Sequence, residues 1–333
     1  MDGSTFFCYG YPPSSRGNKK DIVMENLHTS KEGTVREYLD WVKEKMYDKK
    51  SNQFFERTML FFRGQSDVEW MVNPSVFRED KEKYCEYTLY KQAKNLAWAV
   101  LCDCRTPIEI LVRLQHFGLP TRLLDVTHNP LVALFFACNA TPSKNGCVYW
   151  GTTENLEDNN GFVNAIAKGA MRPLYSVYGC NDIRKQFPEI FANVELWSES
   201  DRTRLNYCIQ GLSRPYYFTP PYNNSRVKVQ RGAFIMPPLI CTNGIDEPDE
   251  NSSFVEPRHD IDYRNAQYQI GETIVRVFHP CSYTIQAKHK SKILAELEEM
   301  GVDRASLFLD DVEALMKRIA RSVKQPIDDF PIE

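Results

Sequence analysis

The stretch from Val112 to Cys138, VRLQHFGLPTRLLDVTHNPLVALFFAC, constrains the fold more than any other part of the chain. It predicts a helix end, a Gly-Leu-Pro corner, a strand, a Thr-His-Asn-Pro turn and an apolar helix in direct succession. The apolar helix begins at Asn129-Pro130, because asparagine caps helices well and proline suits their first turn. It is apolar on all sides, so we expect it to be buried. Polar side chains at the corners between such elements can be held rigidly, as a binding or catalytic site requires.

Composition is that of an ordinary soluble protein. The chain has 333 residues, 42% hydrophobic and 26% charged, which is enough to bury a sizeable core. A formal net charge of -3 gives no general attraction to nucleic acid or to an anionic membrane surface. No apolar run approaches the roughly 20 residues that span a bilayer, and the first residues do not form a secretory signal. We therefore expect a cytoplasmic protein with no membrane partner.

The ten cysteines are scattered and include no CxxC pair. This pattern is typical of reduced, mostly buried thiols in a chain without a secretory signal. A zinc site needs closely spaced ligands, and only Cys102 and Cys104 approach that spacing. We therefore expect no metal. The sequence also has no phosphate-binding GxxxxGK[ST] loop, GxGxxG turn, GxSxG elbow or HExxH motif.

Periodicity and turn residues predict an α+β protein, with a mixed or antiparallel sheet and flanking helices. Residues 1–50 are interpreted as an irregular arm followed by a helix, and residues 51–325 as one domain. Within that domain we predict a surface loop at residues 242–268 and C-terminal helices at residues 288–322. Residues 151–225 give no readable pattern. Predicted strands include residues 58–62, ending before Arg63, residues 227–236, interrupted at Arg231-Gly232, and residues 272–278.

Arg63 follows an apolar strand pattern, and its planar, permanently charged guanidinium suits a bidentate grip on phosphate or carboxylate. Gly64 would let the backbone turn sharply or a ligand approach closely. The alternative is that Arg63 pairs with an internal carboxylate such as Asp125, because a buried arginine needs an acceptor in either case.

Strand alternation places Thr121, Asp125 and Thr127 on one face and Arg122 on the other. Asp125 and Thr127 could then point into a cleft together. Alternatively, Asp125 holds an arginine and Thr127 begins the turn into the Asn129 cap. The sequence alone is compatible with both roles of Asp125 and Thr127.

Histidines flank this strand and titrate near neutrality, so His116 and His128 are candidates for acid, base or ligand contact. Gln115 precedes His116 at a helix end, where both could reach a pocket or simply cap carbonyls. A lone histidine is more often a hydrogen-bonded scaffold residue. Further along, Gln230 belongs to a Gln-Arg-Gly interruption that indicates a bulge or close ligand approach.

Several of these segments together resemble one known family. FFRGQSD at 61–67, EWMVNPSVFRE at 69–79 and LQHFGLPTRLLDVTHNPLVALFFAC at 114–138 are similar to the FRG domain, which is named for its Phe-Arg-Gly motif. Here that motif is Phe62-Arg63-Gly64. RVKVQRGAF at 226–234 and LEEMGVDRASLFLDDVEAL at 297–315 also resemble it.

The resemblance implies a bacterial protein of the kind found near defence genes, acting as an anti-phage or toxin-like effector. The family layout is similar to that of ADP-ribosyltransferases, which implies NAD as ligand and ADP-ribosyl transfer or NAD glycohydrolysis as reaction. By that analogy the catalytic positions are Arg63, Asp125, Thr127 and Gln230. The ligand-binding positions are Gly64, Gln115, His116, Thr121, Arg122 and His128.

One position departs from that pattern. Gln230 would stand where the transferases carry a glutamate that binds a ribose hydroxyl and stabilises positive charge. Glutamine can bind the hydroxyl but supplies no negative charge, and Glu69 and Glu272 are the acidic alternatives.

Two classes of function therefore remain. The first is an enzyme acting on NAD or a related nucleotide, whose partners are that small molecule and a protein or nucleic-acid target. The alternative is a non-catalytic nucleotide-sensing or protein-interaction module. A nuclease ranks last, because the sequence lacks the clustered carboxylates that two metal ions need.

Overall fold

The chain folds as an α+β protein around a mixed sheet in the computed structural model, which confirms the predicted fold class. The structure describes residues 28–48, 53–54, 59–78, 86–153, 160–172, 177–179, 185, 187–188, 190, 201–220, 225–240, 253–255, 270–271, 273–279 and 281–308. Among these residues, no helix has the length and apolarity needed to span a bilayer. Residues 1–27 of the predicted N-terminal arm lie outside the described residues, and His28–Thr29 at its end form a strand rather than irregular chain.

Short strands supply the central layer. In chain order they are β1 (His28–Thr29), β2 (Tyr47–Asp48), β3 (Gln53–Phe54), β4 (Leu60–Gln65), β5 (Leu124–Thr127), β6 (Gly146–Thr152), β7 (Val177–Gly179), β8 (Tyr216–Phe218), β9 (Gly232–Met236), β10 (Ser253–Val255) and β11 (Tyr283–Ile285). Within the described part of the chain, seven of them form one sheet in the order β1-β11-β6-β4-β5-β9-β8. β1 is parallel to β11, and the other neighbours in this sheet are antiparallel.

Helices cover one face of this sheet. In chain order they are α1 (Val35–Met46), α2 (Glu86–Leu96), α3 (Trp98–Leu101), α4 (Pro107–His116), α5 (Pro130–Cys138), α6 (Asn160–Ala170), α7 (Asp201–Leu212), α8 (Ser225–Val229), α9 (Lys290–Glu299) and α10 (Arg304–Leu307). Apolar residues of α1, α5 and α9 pack against Phe62, Val148 and Trp150. Those of α4, α6 and α7 pack against Phe234 and Met236.

The opposite face carries a third apolar cluster. There the 3-10 turn Ser75–Phe77 and apolar residues of the segments 270–271 and 273–279 pack against Phe61, Tyr149 and Ile235. Successive residues of a strand point to opposite faces, so Phe61 and Phe62 belong to different clusters. We call the side bearing α5 the helix face and the side bearing Ser75–Phe77 the turn face.

Helix termini follow their sequence signals closely. Thr106 accepts a hydrogen bond from the Glu109 amide at 3.4 Å, and Asn129 accepts one from the Leu131 amide at 3.0 Å. Each side chain satisfies an amide that the first turn leaves without a partner. Gly118 follows α4 with φ +86, the left-handed geometry that favours glycine after a helix. The predicted starts of α4 and α5 are therefore confirmed.

Three strand predictions were wrong in part. β4 continues through Arg63 to Gln65, because these residues pair in register with Tyr149 to Cys147 of β6. Residues 225–229 form helix α8 rather than a strand, and the strand begins only at Gly232, where β5 supplies a partner. Residues 273–275 are helical instead of extended.

The predicted loop at residues 242–268 contains strand β10, which pairs antiparallel with β7, and its other residues lie outside the described ranges. The predicted C-terminal helices at 288–322 are described only as far as residue 308, as α9 and α10.

Few residues pair at the centre of the sheet, between β4 and β5. β4 pairs with β6 over six residues, from Leu60 to Gln65, whereas its pairing with β5 consists of Phe62 opposite Thr127. Beyond that pair the two strands separate, toward the C-terminal end of β4 and the N-terminal end of β5. The sheet therefore consists of two halves that part at this point.

Candidate functional site

A cavity of about 720 Å³ opens where the two halves of the sheet part. Its walls come from β4 and the turn after it, from β5, from α5 and from α8. The lining residues are Phe62, Arg63, Gly64, Gln65, Ser66, Glu69, Trp70, Met71, Asn73, Arg78, Asp125, Val126, Thr127, Val132, Phe136, Asn139, Ala140, Arg226 and Gln230. The structure thus brings Arg63, Gly64, Asp125, Thr127 and Gln230 together, although they come from three separated segments.

Arg63 bridges the gap between the strands. Its Nη1 donates to the main-chain carbonyl of Asp125 at 2.7 Å, and its Nε donates to Oε1 of Gln65 at 3.3 Å. The side chain of Gln65 is fixed in turn, because its amide donates to the Trp70 carbonyl at 3.1 Å. Among the described residues, no carboxylate forms an ion pair with Arg63. The guanidinium is therefore held by neutral acceptors.

This arrangement leaves a buried positive charge in the wall of the cavity. Arg63 is only 8% exposed. Burial and the nearby charge of Arg78 lower the pKa of Arg63 to about 10, and the opposing effects of Asp125 and Tyr149 are smaller. The group is still protonated at neutral pH. An anion in the cavity would supply the counter-charge, because a buried ion is favourable only when it is paired.

Asp125 lines the same cavity, and its charge opposes the lowering of the pKa of Arg63. It lies on β5 opposite Phe234 of β9, and its side chain is exposed to the cavity on the helix face. Its main-chain carbonyl, not its carboxylate, accepts the bond from Arg63. No described residue donates a hydrogen bond to the carboxylate, so its oxygens face the cavity.

The side chains of Thr127 and Gln230 instead form hydrogen bonds to main-chain groups of the fold. The Thr127 hydroxyl donates to the Gln230 carbonyl at 2.6 Å and accepts from the Asn129 amide at 2.9 Å. The side-chain amide of Gln230 donates to the Leu307 carbonyl at 3.0 Å. Thr127 therefore begins the turn into the helix cap, which was the alternative left open by the sequence.

Gly64 is required by packing. A Cβ at this position would lie 1.9 Å from the Ala133 carbonyl oxygen and 2.8 Å from the Ala137 nitrogen, both in α5. The absence of a side chain thus lets helix α5 approach β4 closely. Close packing of a helix on the strand, more than access for a ligand, explains glycine in the Phe-Arg-Gly motif.

Arg122 does not reach the cavity. It is fully buried and forms a bidentate ion pair with Glu86 of α2, with contacts of 2.8 Å from Nε and 2.6 Å from Nη2. The Tyr90 hydroxyl donates to the same carboxylate at 2.8 Å, and burial raises the pKa of Tyr90 well above its ordinary value. Arg122 therefore anchors α2 to the sheet, as a bidentate guanidinium–carboxylate pair does well.

The remaining predicted ligand contacts also lie outside the cavity lining. Thr121 is buried and donates its hydroxyl proton to the Gln115 side-chain oxygen. His116 ends α4 and contacts the ring of Phe117. His128 donates from Nδ1 to the Leu60 carbonyl at 2.7 Å, since a carbonyl can only accept, and its Nε2 accepts from the Tyr217 hydroxyl. It ties β4 to the other half of the sheet.

Three cavity residues were missed in the sequence. Arg78 follows the Ser75–Phe77 turn and donates from Nε to the Asn73 carbonyl at 3.2 Å. Arg226 lies on α8, and Trp70 is 47% exposed in the turn after β4. Trp70 and Arg78 belong to the segment 69–79, which resembles the FRG domain but in which the sequence indicated neither residue as part of a site. Arg226 was hidden because its segment resembles a strand.

The fold is that of an α+β protein, and three arginines line its cavity. The family model of the FRG domain matches residues 58–146, so the chain contains an FRG domain over this range. All lining residues except Arg226 and Gln230 fall within the match. Neither the search of curated proteins nor the search of solved structures found a match.

Metal ligands are not clustered in the described part of the chain. No group of three or more His, Cys, Asp or Glu side chains that could hold a metal ion occurs among those residues. The six described cysteines are all free thiols, and burial raises the pKa of Cys138 and of Cys208 to about 12. The thiols of Cys138 and Cys208 are therefore protonated at neutral pH and behave as apolar core groups.

Proposed function

We propose that the cavity binds a phosphorylated nucleotide, with NAD as the first candidate. The observation that carries this proposal is the convergence of Arg63, Arg78 and Arg226 on one cavity from three separated segments. Guanidinium groups match phosphate in charge and in the geometry of their N–H groups. Arg63 in particular is buried and is held by neutral acceptors.

Shape and apolar lining support a ligand of this size. The cavity volume of about 720 Å³ lies within the range of roughly 300–1,000 Å³ typical of small-molecule sites. Trp70 and Met71 are 47% and 44% exposed at its edge. An exposed indole offers a surface for stacking a nucleobase or a nicotinamide ring, a contact that every base can make.

We propose cleavage of NAD as the reaction, with Asp125 as the catalytic carboxylate. The bond between ribose C1′ and the nicotinamide nitrogen breaks, and its electron pair leaves with nicotinamide, which becomes neutral. Asp125 would stabilise the positive charge that develops at C1′. Water or an acceptor hydroxyl then bonds to C1′ and loses its proton, giving glycohydrolysis or ADP-ribosyl transfer. This role replaces the one that analogy assigned to Gln230.

A non-catalytic nucleotide sensor is the second candidate, favoured by a specific observation. Two of the four predicted catalytic residues, Thr127 and Gln230, use their polar atoms to hold the turn and α10. A site that only binds needs the arginines but not the carboxylate.

Calorimetry with NAD, ADP-ribose and AMP tests binding, and Arg78→Gln and Arg105→Gln form a matched pair. Arg78 lines the cavity, whereas Arg105 is an exposed arginine that does not. Because a charge-assisted hydrogen bond contributes about 1.5–3 kcal/mol, Arg78→Gln should weaken binding about tenfold or more. Arg105→Gln should leave it unchanged. Failure of all three ligands to bind would refute the proposal.

Nicotinamide release from NAD separates the enzyme from the sensor. The enzyme predicts turnover that Asp125→Asn abolishes while NAD still binds. Binding without turnover on water or any protein or nucleic-acid acceptor supports the sensor. If the protein is a toxin-like bacterial defence effector of the catalytic kind, its expression should slow growth, and Asp125→Asn should relieve that effect.

A further inference from the structure

Arg226 is held at the cavity wall by an aromatic ring. Its guanidinium carbon lies 4.5 Å from the centroid of the Phe308 ring, within the range of a cation–π contact. Arg304 contacts the same ring at 5.6 Å, and the edge of Phe136 meets it with centroids 6.0 Å apart. Two cations are thus gathered around Phe308, and one of them, Arg226, lines the cavity.

This cation pair lies apart from the pair formed by Arg63 and Arg78. Phe136 and Phe308 pack with the apolar cluster of the helix face, as does Val229 of α8. Phe77, which directly precedes Arg78, packs with the cluster of the turn face. Arg78 is close enough to Arg63 to lower its pKa. The cavity therefore has one pair of arginines on the turn-face side and Arg226 on the helix-face side.

From this separation we infer that the cavity has two anionic subsites, and that its ligand is a nucleotide phosphorylated at two separate positions. The inference rests on the proposed function and narrows its ligand class. One phosphate or pyrophosphate group would lie against Arg63 and Arg78. A second phosphate, on a ribose hydroxyl, would contact Arg226, whose planar group is oriented by Phe308. Arg226 lies on α8, whose Val229 packs on the helix face, and Arg78 follows the turn on the other face, so a ligand with two separate phosphate groups would match both positions.

Matched ligands test the second subsite directly. Adenosine 2′,5′-bisphosphate and AMP differ by one ribose phosphate, as do NADP and NAD. With the unmodified protein, calorimetry should show that the doubly phosphorylated member of each pair binds about tenfold more tightly or better. Arg226→Gln should remove this difference, because it should weaken binding of the doubly phosphorylated ligands much more than binding of AMP and NAD. Arg78→Gln should weaken all four ligands.

Arg226→Lys keeps the charge but loses the planar stacking, so it should retain only part of the preference. Circular dichroism of each variant shows whether it is folded. Equal affinity within both ligand pairs would overturn the second subsite, as would an Arg226→Gln effect of the same size on singly and doubly phosphorylated ligands. In either case, binding of AMP or NAD that depends on Arg78 would leave the proposed function standing. If no nucleotide binds, both fail.

Discussion

Replacing Arg63 by methionine tests whether its buried charge serves a ligand or the fold. Burial and Arg78 lower the pKa of Arg63 to about 10, and one pKa unit corresponds to about 1.36 kcal/mol. The ligand-free protein thus keeps this charge at a cost of about 3 kcal/mol. Arg63→Met removes that cost but leaves the Asp125 carbonyl and the Gln65 side-chain oxygen without a donor. Each orphaned acceptor costs about 1–3 kcal/mol.

The net effect of Arg63→Met on the free energy of unfolding should therefore lie between about 1 kcal/mol of stabilisation and about 3 kcal/mol of destabilisation. Arg122→Met is the matched control, because Arg122 is also buried but pairs with a carboxylate. Removing it leaves Glu86 as a mostly buried, unpaired charge, and breaking such a pair costs about 3–5 kcal/mol.

Urea unfolding measures the change in the free energy of unfolding of each variant, from the shift in the midpoint urea concentration at a common slope. We expect Arg63→Met to lose much less stability than Arg122→Met while losing nucleotide binding. Equal destabilisation of the two variants, or a larger loss for Arg63→Met, would show that Arg63 is primarily structural. The buried charge of Arg63 would then serve the fold and not a ligand.

Three further outcomes are expected. Gly64→Ala should destabilise the protein by about 1–3 kcal/mol or more in thermal unfolding, because the new Cβ would lie 1.9 Å from the Ala133 carbonyl oxygen. Gly232→Ala should destabilise it less, because the nearest atom to a Cβ there is 3.4 Å away. Lys290→Met should lower the melting temperature, because the buried ammonium donates to the carbonyls of Ser66, Ala140 and Thr141 and so joins the turns beside the cavity; an unchanged melting temperature would contradict this. Nucleotide affinity, measured from pH 8 to 11, should stay constant up to about pH 9 and fall as pH rises through about 10, because the binding form of Arg63 is the protonated one; a constant affinity above pH 10 would argue against contact with Arg63.

Local signals predicted the elements around the cavity. Thr106-Pro107 and Asn129-Pro130 fix where α4 and α5 begin, because each supplies a side-chain acceptor followed by a residue that needs no amide partner. The resemblance to the FRG domain, and through it to ADP-ribosyltransferases, predicted that Arg63, Asp125 and Gln230 share one site, and all three line one cavity. The signals that begin α4 and α5 could be recognised because each is contained in a few adjacent residues.

The sequence could not show which polar atoms are already occupied. Thr127 and Gln230 were both candidates, yet their hydrogen bonds to each other and to Leu307 depend on segments about 80 to 100 residues apart. The same holds for Arg122, whose partner Glu86 lies 36 residues away. Two buried arginines, Arg63 and Arg122, look alike in sequence, and only tertiary contacts show which one has a carboxylate.

Short helices account for another part of the difference. Helix α8 has five residues, SRVKV, whose alternation of apolar and basic residues matches a strand equally well. Because a helix of this length depends on tertiary packing, its sequence gives no independent signal. Arg226, on this helix, was missed for that reason.

The position of the site follows from how the sheet is joined. Strand β4 pairs with β5 only where Phe62 lies opposite Thr127. His128 reinforces this end of the two strands by hydrogen bonds to Leu60 and Tyr217. On the other side of that pair the strands part, which leaves main-chain groups that a continuous sheet would satisfy. Arg63 donates to one of them, the Asp125 carbonyl. A side chain that closes the ladder in this way must bring its charge into the gap, so the same residue completes the sheet and places a positive charge in the cavity wall.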